Sequence, residues 1–103
     1  MNVPKMIIYL IRDERSERYG TPIFTQLDAD SLAESYRASI FANLKDAAPF
    51  LDSVLYQVGE YDTVTGEITE VAKQDYKLVC RLGDFVKESL AKARQYGEQN
   101  HGN

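Results

Sequence analysis

Five segments of the chain alternate apolar and polar positions in the manner of β-strands. The two strongest cover residues 6–13 and 53–62. Apolar residues occupy both faces of the first segment, which indicates a central strand covered on both sides. They are Tyr9 and Ile11 on one face, and Ile8 and Leu10 on the other. Three weaker strands are predicted at residues 23–27, 66–71 and 76–82.

Two further segments have the apolar spacing of amphipathic helices. The longer one covers residues 28–48, with Asp28 or Asp30 as its N-cap and Pro49 after its end. Its apolar stripe consists of Leu32, Tyr36, Ile40 and Leu44. The second helix is predicted over residues 83–97 and stops at its last residue, a glycine.

These elements predict an α+β fold, specifically a two-layer domain with a mixed or antiparallel sheet of four to five strands. One main helix packs on the sheet, and a C-terminal helix follows. Residues 1–97 are expected to form a single domain and residues 98–103 a flexible C-terminal tail. The C-terminal helix, or a second copy of the chain in a homodimer, would cover the second apolar face of the first strand.

The stretch VGEYDTVTGEITE, residues 58–70, joins two of the predicted strands. Asp62 suits the opening of a turn, and Gly66 suits a backbone position with positive φ at its close. Glu60, Asp62 and Glu67 offer carboxylates to a cation, but a calcium loop needs a denser series of oxygen ligands. We therefore interpret the stretch as a hairpin turn without a metal.

Charge is distributed unevenly along the 103 residues, whose net charge is −4. Residues 1–27 and 76–103 carry net charges of +1 and +2, whereas residues 28–75 carry −7. Nucleic acids are bound by clustered lysine and arginine, so such contacts should come from the two ends, with the acidic middle facing away. The N-terminal apolar run MIIYLI is too short to span a membrane, so no membrane contact and a cytoplasmic location are expected.

Residue types that carry catalysis or hold cofactors are sparse. The one histidine, His101, lies in the predicted tail, where nothing would hold it in place as a base. The one cysteine, Cys80, lies in the apolar run YKLVCRL and is interpreted as a small core residue. The sequence has neither a glycine-rich phosphate loop nor a histidine pair for zinc. These features predict a protein that is not an enzyme and needs no cofactor.

The stretch YLIRDERSERY combines arginines with tyrosines near the end of the first predicted strand. Arginine side chains clamp phosphates and aromatic rings stack on exposed bases, so together they suit a single-stranded nucleic acid. The candidate contacts are Arg12, Arg15 and Arg18, flanked by Tyr9 and Tyr19, with Lys77 and Arg81 in support. The alternative is a solvated loop in which Asp13, Glu14 and Glu17 neutralise the arginines.

Several short motifs occur in a characteristic order. They are an Ile-Tyr-x-(Ile/Val)-Arg-Asp strand at residues 8–13, Pro22 close to Phe24, an acid-capped helix carrying Arg37, and a Leu-Tyr-x-x-Gly-x-(Tyr/Phe)-Asp-x-x-Thr-Gly hairpin at residues 55–66. In these motifs the chain resembles the small non-structural proteins of gokushovirus-type microviruses, which are bacteriophages with single-stranded DNA genomes. The resemblance spans roughly residues 6–71.

The resemblance implies an auxiliary protein that is made during infection, lies in the host cytoplasm and is absent from the mature capsid. Such a protein would associate with single-stranded DNA during genome replication or its switch to packaging, and phage replication or packaging proteins would be further partners. The alternative function is a protein-interaction module that binds a host or phage protein without DNA affinity. The shared motif residues are structural in type, so no residue role is carried over.

Overall fold

The computed structural model describes the backbone of residues 5–100 and the side chains of residues 5–95. In this part of the chain it has the predicted α+β architecture, a six-stranded antiparallel sheet with two helices packed on it. The strands are β1 (Lys5–Asp13), β2 (Arg18–Tyr19), β3 (Ile23–Thr25), β4 (Ser53–Asp62), β5 (Ile68–Glu70) and β6 (Lys77–Arg81). The helices are α1 (Ala29–Ala42) and α2 (Leu82–Asn100).

The sheet has two long central strands and two interrupted edges. β1 pairs with β4 from Lys5 to Asp13. On its other side β1 pairs with both β2 and β3. The far side of β4 pairs with both β5 and β6. The strands therefore occupy four positions across the sheet. The one strand that the sequence pattern does not predict is β2, which has only two residues.

One face of the sheet is buried under both helices. Tyr9 and Leu55, whose side chains are fully buried, pack against Leu32 of α1. A second cluster joins Ile40 of α1 to Val86 of α2, so the two helices lie side by side. Burying each large apolar side chain contributes about 1.5–3 kcal/mol, which makes these clusters the main source of stability.

The opposite face of the sheet, which we call the open face, has no helix over it among residues 5–100. Because α2 packs beside α1, it does not provide the cover predicted for the second face of β1. Ile8 of β1 is nonetheless buried on the open face, where Phe24 of β3 lies directly opposite it. Phe24 itself remains 43% exposed.

Helix α1 begins as predicted but ends earlier. Asp28 caps it, and its carboxylate accepts a 2.8 Å hydrogen bond from the backbone N–H of Ser31. The helix ends at Ala42, where the backbone and side-chain nitrogens of Asn43 both donate to the Ser39 carbonyl. Two 3-10 turns follow, at Leu44–Asp46 and Ala48–Phe50.

Helix α2 begins directly after β6 and is longer than predicted. It continues through Gly97 to Asn100, so the predicted stop at Gly97 is wrong. A glycine in a helix interior costs only about 1 kcal/mol relative to alanine, which neighbouring helix formers can offset. Residues 98–100 of the predicted flexible tail are helical, and residues 101–103 lie outside the described part. Neither described helix has the length and apolar character needed to cross a membrane.

The turn between β4 and β5 has the predicted chemistry. The Asp62 carboxylate accepts hydrogen bonds from the backbone N–H groups of Val64 and Thr65, at 2.9 and 3.2 Å. Gly66 has a φ of 77°, which glycine adopts without steric cost. Ile68, the first residue of β5, lies on the open face and is 57% exposed.

Candidate functional site

Side chains on the open face form rows across the strands, because directly paired residues of antiparallel strands point to the same side. One row consists of Tyr19, Arg12, Val54 and Arg81. The next consists of Leu10, Tyr56 and Leu78. A third consists of Phe24, Ile8, Gly59 and Glu70. The open face is therefore cationic at one end and largely apolar further along the strands.

The segment between β5 and β6, residues 71–76, crosses the open face, and we call it the strap. At its start the N–H of Val71 still donates to a β4 carbonyl, at 3.1 Å. A 3-10 turn at Lys73–Asp75 then takes the chain out of the sheet. The ammonium of Lys73 lies 5.3 Å from the ring centre of Tyr19, which belongs to the opposite edge. The strap thus joins the two edges across β4 and β1.

A groove of about 290 Å³ lies along the strap. Its walls are formed by three aromatic rings, two cations and an amide: Tyr19, Tyr56, Tyr76, Arg12, Lys73 and Gln74. The ring centres of Tyr56 and Tyr76 are 6.4 Å apart, and their planes are inclined at 50°. The guanidinium carbon of Arg12 lies 5.9 Å from the ring centre of Tyr19. The volume is near the lower end of the range for small-ligand pockets.

The positive charge of this groove is only partly compensated. Arg12 donates a hydrogen bond to the carboxylate of Glu14, and the two side chains are 24% and 36% exposed. Lys73 has no carboxylate within 4.0 Å among the side chains of residues 5–95. It contacts the Tyr19 ring instead, an attraction of about 0.5–1 kcal/mol at an exposed site. One cation of the groove therefore remains available for an anionic ligand.

Arg12, Tyr19 and Arg81, three of the predicted contact residues, share the open face. Arg12 and Tyr19 line the groove together. Arg81 belongs to the same row, but it lines a separate cavity of about 190 Å³ with Glu14 and Lys87. The structure thus brings an arginine and a tyrosine of the predicted set into direct contact.

Arg15, Arg18 and Lys77 lie elsewhere on the surface and are all exposed. Arg15 belongs to the connection between β1 and β2, and Arg18 is the first residue of β2. Neither has a carboxylate within 4.0 Å in the described part of the chain. Hydrogen bonds from the Ser16 hydroxyl and the Arg15 backbone N–H lower the pKa of Asp13. The predicted alternative of mutual neutralisation therefore holds for Arg12 and, more weakly, for Arg15, whose charge contributes to the lowered pKa of Asp13. Arg18 forms no ion pair with the described side chains.

Tyr9 has to be removed from the predicted contacts. Its side chain is fully buried and points toward the helices, where it packs against Leu32 and Leu55. Its hydroxyl donates a 2.8 Å hydrogen bond to the carbonyl of Leu27. Burial raises the pKa of this phenol, with a smaller contribution from the charge of Asp28. No ligand on the surface can reach the ring.

The groove also contains residues that sequence reasoning missed, above all Lys73, Tyr56 and Tyr76. Lys73 lies in the acidic middle of the chain, which was expected to face away from a nucleic acid. Alternation places Tyr56 on one face of its strand, but nothing local indicates which face is uncovered. A signal for these residues is the interruption in the alternation of apolar and polar positions between the two weak C-terminal strands. The strap leaves the sheet at this interruption.

A second cavity, about 290 Å³ in volume, lies between α1 and α2. Four charged side chains on its walls form a connected set of ion pairs: Glu34, Arg37, Glu88 and Lys92. Hydrogen bonds from Arg37 and Lys92 lower the pKa of Glu88. Because these charges neutralise one another, this cavity is less suited to attract a charged ligand than the groove.

The cysteine thiol, a further candidate for chemistry, is part of the core. Cys80 packs against both core clusters, and burial, followed by the charge of Asp84, raises the pKa of its thiol. The thiol is therefore protonated at neutral pH and poorly nucleophilic. Among the described side chains, no group of three histidine, cysteine, aspartate or glutamate residues could hold a metal ion. His101 lies outside the described part.

No protein-family model, curated protein or solved structure significantly matches this chain. The resemblance to microvirus non-structural proteins therefore stays a prediction. Any conclusion about function has to be drawn from the open face and its groove.

Proposed function

We propose that this chain is a non-enzymatic accessory protein that binds single-stranded DNA on the open face of its sheet. The observation that carries the proposal is the groove along the strap, where Tyr19, Tyr56 and Tyr76 meet Arg12 and Lys73. Aromatic rings stack on bases of any type, and cations beside them hold the phosphates. A sheet with exposed aromatic residues is the surface that RNA-recognition motifs use for the same task.

The geometry favours a single strand over a duplex. Reading a duplex requires an element that enters a groove, such as a helix or a β-ribbon. The open face is instead a sheet surface with the strap lying across it, and bases can stack there only if they are unpaired. The choice of DNA, and a role in phage genome replication or its switch to packaging, follow from the resemblance to microvirus proteins.

Electrostatics keep the proposed binding modest and dependent on salt. The net charge of −4 opposes a polyanion at long range, so the attraction is confined to the groove and the arginines nearby. Each phosphate contact with a single strand contributes about 0.7 to the slope of log affinity against log salt. We therefore expect weak binding at physiological salt and a clear gain in affinity at low salt.

The test is a fluorescence titration of a labelled oligonucleotide of mixed sequence at several salt concentrations. Lys73→Glu should weaken binding and reduce the salt slope by about 0.7, because one phosphate contact is lost. Lys45→Glu is the matched control, since Lys45 is exposed and follows α1 in the helix layer. Equal losses in the two variants would show that only net charge matters, and the groove assignment would be wrong.

A variant that should bind the oligonucleotide more tightly strengthens the test. Glu14→Gln removes the carboxylate that holds Arg12 and should raise the affinity and steepen the salt slope. Tyr19→Ala should cost about 1–3 kcal/mol of binding free energy, the usual loss for one stacked base. No salt-dependent binding by the unmodified protein would overturn the proposed function itself.

One observation favours the alternative of a protein-interaction module. Phe24, Ile68 and Leu78 expose 43%, 57% and 47% of their surface on the open face, and adjacent exposed apolar side chains often mark a protein interface. A host protein, a phage protein or a second copy of the chain would then cover this face. Light scattering that shows a stable dimer, together with no oligonucleotide binding, would favour this alternative.

A further inference from the structure

A second cleft lies on the open face, next to the groove. It has a volume of about 200 Å³, and Tyr76 of the strap lines both the cleft and the groove. Its walls are mostly apolar and include Ile8, Leu10, Phe24 and Ile68. We call it the apolar cleft. Because the two sites share Tyr76, a strand bound in the groove would extend naturally into this cleft.

Glu70 is the one charged residue among those that line the apolar cleft. It is the last residue of β5 and pairs with Gly59, which pairs in turn with Ile8 on the open face. Its carboxylate forms no ion pair or side-chain hydrogen bond with the described part of the chain. An acceptor without a protein donor thus lies beside an apolar surface large enough for a flat ring.

We propose that the apolar cleft binds the base next to the one in the groove, and that Glu70 selects bases carrying an exocyclic amino group. This inference rests on the proposed function and assigns a specificity to the same site. The ring of the base would lie against Phe24, Ile68 or Tyr76, and its amino group would donate to the carboxylate of Glu70. The phosphates would stay at the cationic end, near Arg12 and Lys73.

The physical basis is the difference between cytosine and thymine at one position of the ring. Cytosine has an amino group there, which donates to a carboxylate. Thymine has a carbonyl oxygen at the same position, and two acceptors facing each other repel. An acceptor held opposite this position therefore disfavours thymine relative to cytosine, even though both pyrimidines stack similarly. The discrimination for one such contact is roughly tenfold.

The experiment compares oligo-dC with oligo-dT of equal length at slightly alkaline pH, where oligo-dC remains single-stranded. The unmodified protein should bind oligo-dC about tenfold more tightly. In Glu70→Gln the preference should shrink toward one, because an amide both accepts from cytosine and donates to thymine. The matched control is Glu67→Gln, which makes the same change in the exposed β4–β5 turn and should keep the preference.

The outcomes separate this inference from the proposed function. If both oligonucleotides bind with a salt slope but equally well, Glu70 does not select the base, while the groove assignment stands. A cytosine preference that persists in Glu70→Gln also overturns the inference. If neither oligonucleotide binds, the proposed function fails and the inference fails with it. A gain in oligo-dT affinity in Glu70→Gln that exceeds the gain in Glu67→Gln is the most specific support, since neither a damaged fold nor the loss of one negative charge could produce it.

Discussion

At the scale of single residues, Tyr9 connects the sheet to the chain that leads into α1. Its hydroxyl donates to the carbonyl of Leu27, just before the cap residue Asp28. The ring fills the space between the sheet and Leu32, and none of its surface is exposed. Tyr9 therefore serves the fold and not a surface site, although it lies in the same short stretch as Arg12.

Tyr9→Phe tests whether Tyr9 serves the fold or a surface site. It removes one hydrogen bond and retains the packing of the ring, so we expect unfolding in urea to require about 0.5–1.5 kcal/mol less free energy. Oligonucleotide affinity should be unchanged, whereas Tyr19→Phe should leave the stability unchanged because Tyr19 is exposed. A loss of DNA affinity in Tyr9→Phe, measured on the folded variant, would contradict this assignment.

Residues whose role depends on their immediate neighbours could be predicted from the sequence. Asp28 caps α1, and Asp62 and Gly66 form the β4–β5 turn, because cap and turn hydrogen bonds join residues two or three positions apart. The position of Tyr9 could not be predicted in the same way. Alternation separates the two faces of a strand, but only long-range packing decides which face the helices cover.

At the scale of elements, β6 leads directly into α2 without a connecting loop. Leu82, the first residue of α2, is fully buried, and Gly83 follows it. A Cβ atom placed on Gly83 would lie 2.1 Å from the carbonyl oxygen of Leu51, so only glycine allows this approach. The sequence pattern predicts the start of the helix within one residue, but it cannot show this contact, which joins distant parts of the chain.

Two leucines of α2 provide a matched test of this packing. Leu82→Ala should lower the free energy of unfolding by about 2–5 kcal/mol, because it leaves a cavity in the core. Leu90→Ala makes the same chemical change at a side chain that is 46% exposed, and it should alter stability by no more than about 0.5 kcal/mol. Similar losses in the two variants, measured by urea denaturation, would show that α2 is packed differently.

The strap is the element that sequence reasoning could least anticipate. β5 and β6 both pair with β4, so they resemble one edge strand interrupted by residues 71–76. The pairing of β4 with β6 also shifts register between Leu55 and Tyr56, which lets both Val79 and Cys80 pack toward the core. Strict alternation would place Val79 on the opposite face from Cys80. Such shifts depend on the partner strand and leave no local signal.

At the scale of the whole molecule, charge in the sequence and charge in space are arranged differently. The groove takes Arg12 from the weakly basic N-terminal region and Lys73 from the acidic middle. The shortest extent of the molecule, 19 Å, fits one sheet and one helix layer without a third layer over the open face. A thin domain of this kind keeps a large part of its sheet accessible, and that accessible surface makes base stacking feasible for an acidic protein.

Some of the carboxylates that make the molecule acidic also make its stability depend on pH. Hydrogen bonds within caps and turns lower the pKa of Asp13, Asp28 and Asp62, and the ion pairs with Arg37 and Lys92 lower that of Glu88. A carboxyl group whose pKa is lower in the folded state stabilises the fold when it is ionised. This contribution is complete above the unfolded pKa, about 4, and is lost as the pH falls through the folded pKa.

Acid should therefore destabilise the protein, and one variant should reduce that effect. We expect the thermal midpoint to change little between about pH 8 and pH 5 and to fall below about pH 4, where these groups bind protons. Asp28→Asn keeps an effective N-cap but cannot ionise, so its midpoint should depend less on pH in this range. Asp30→Asn is the control, since Asp30 is exposed in the first turn and Asp28 makes the cap hydrogen bond. A midpoint that stays constant down to pH 3 would mean that the cap and turn carboxylates do not stabilise the folded state.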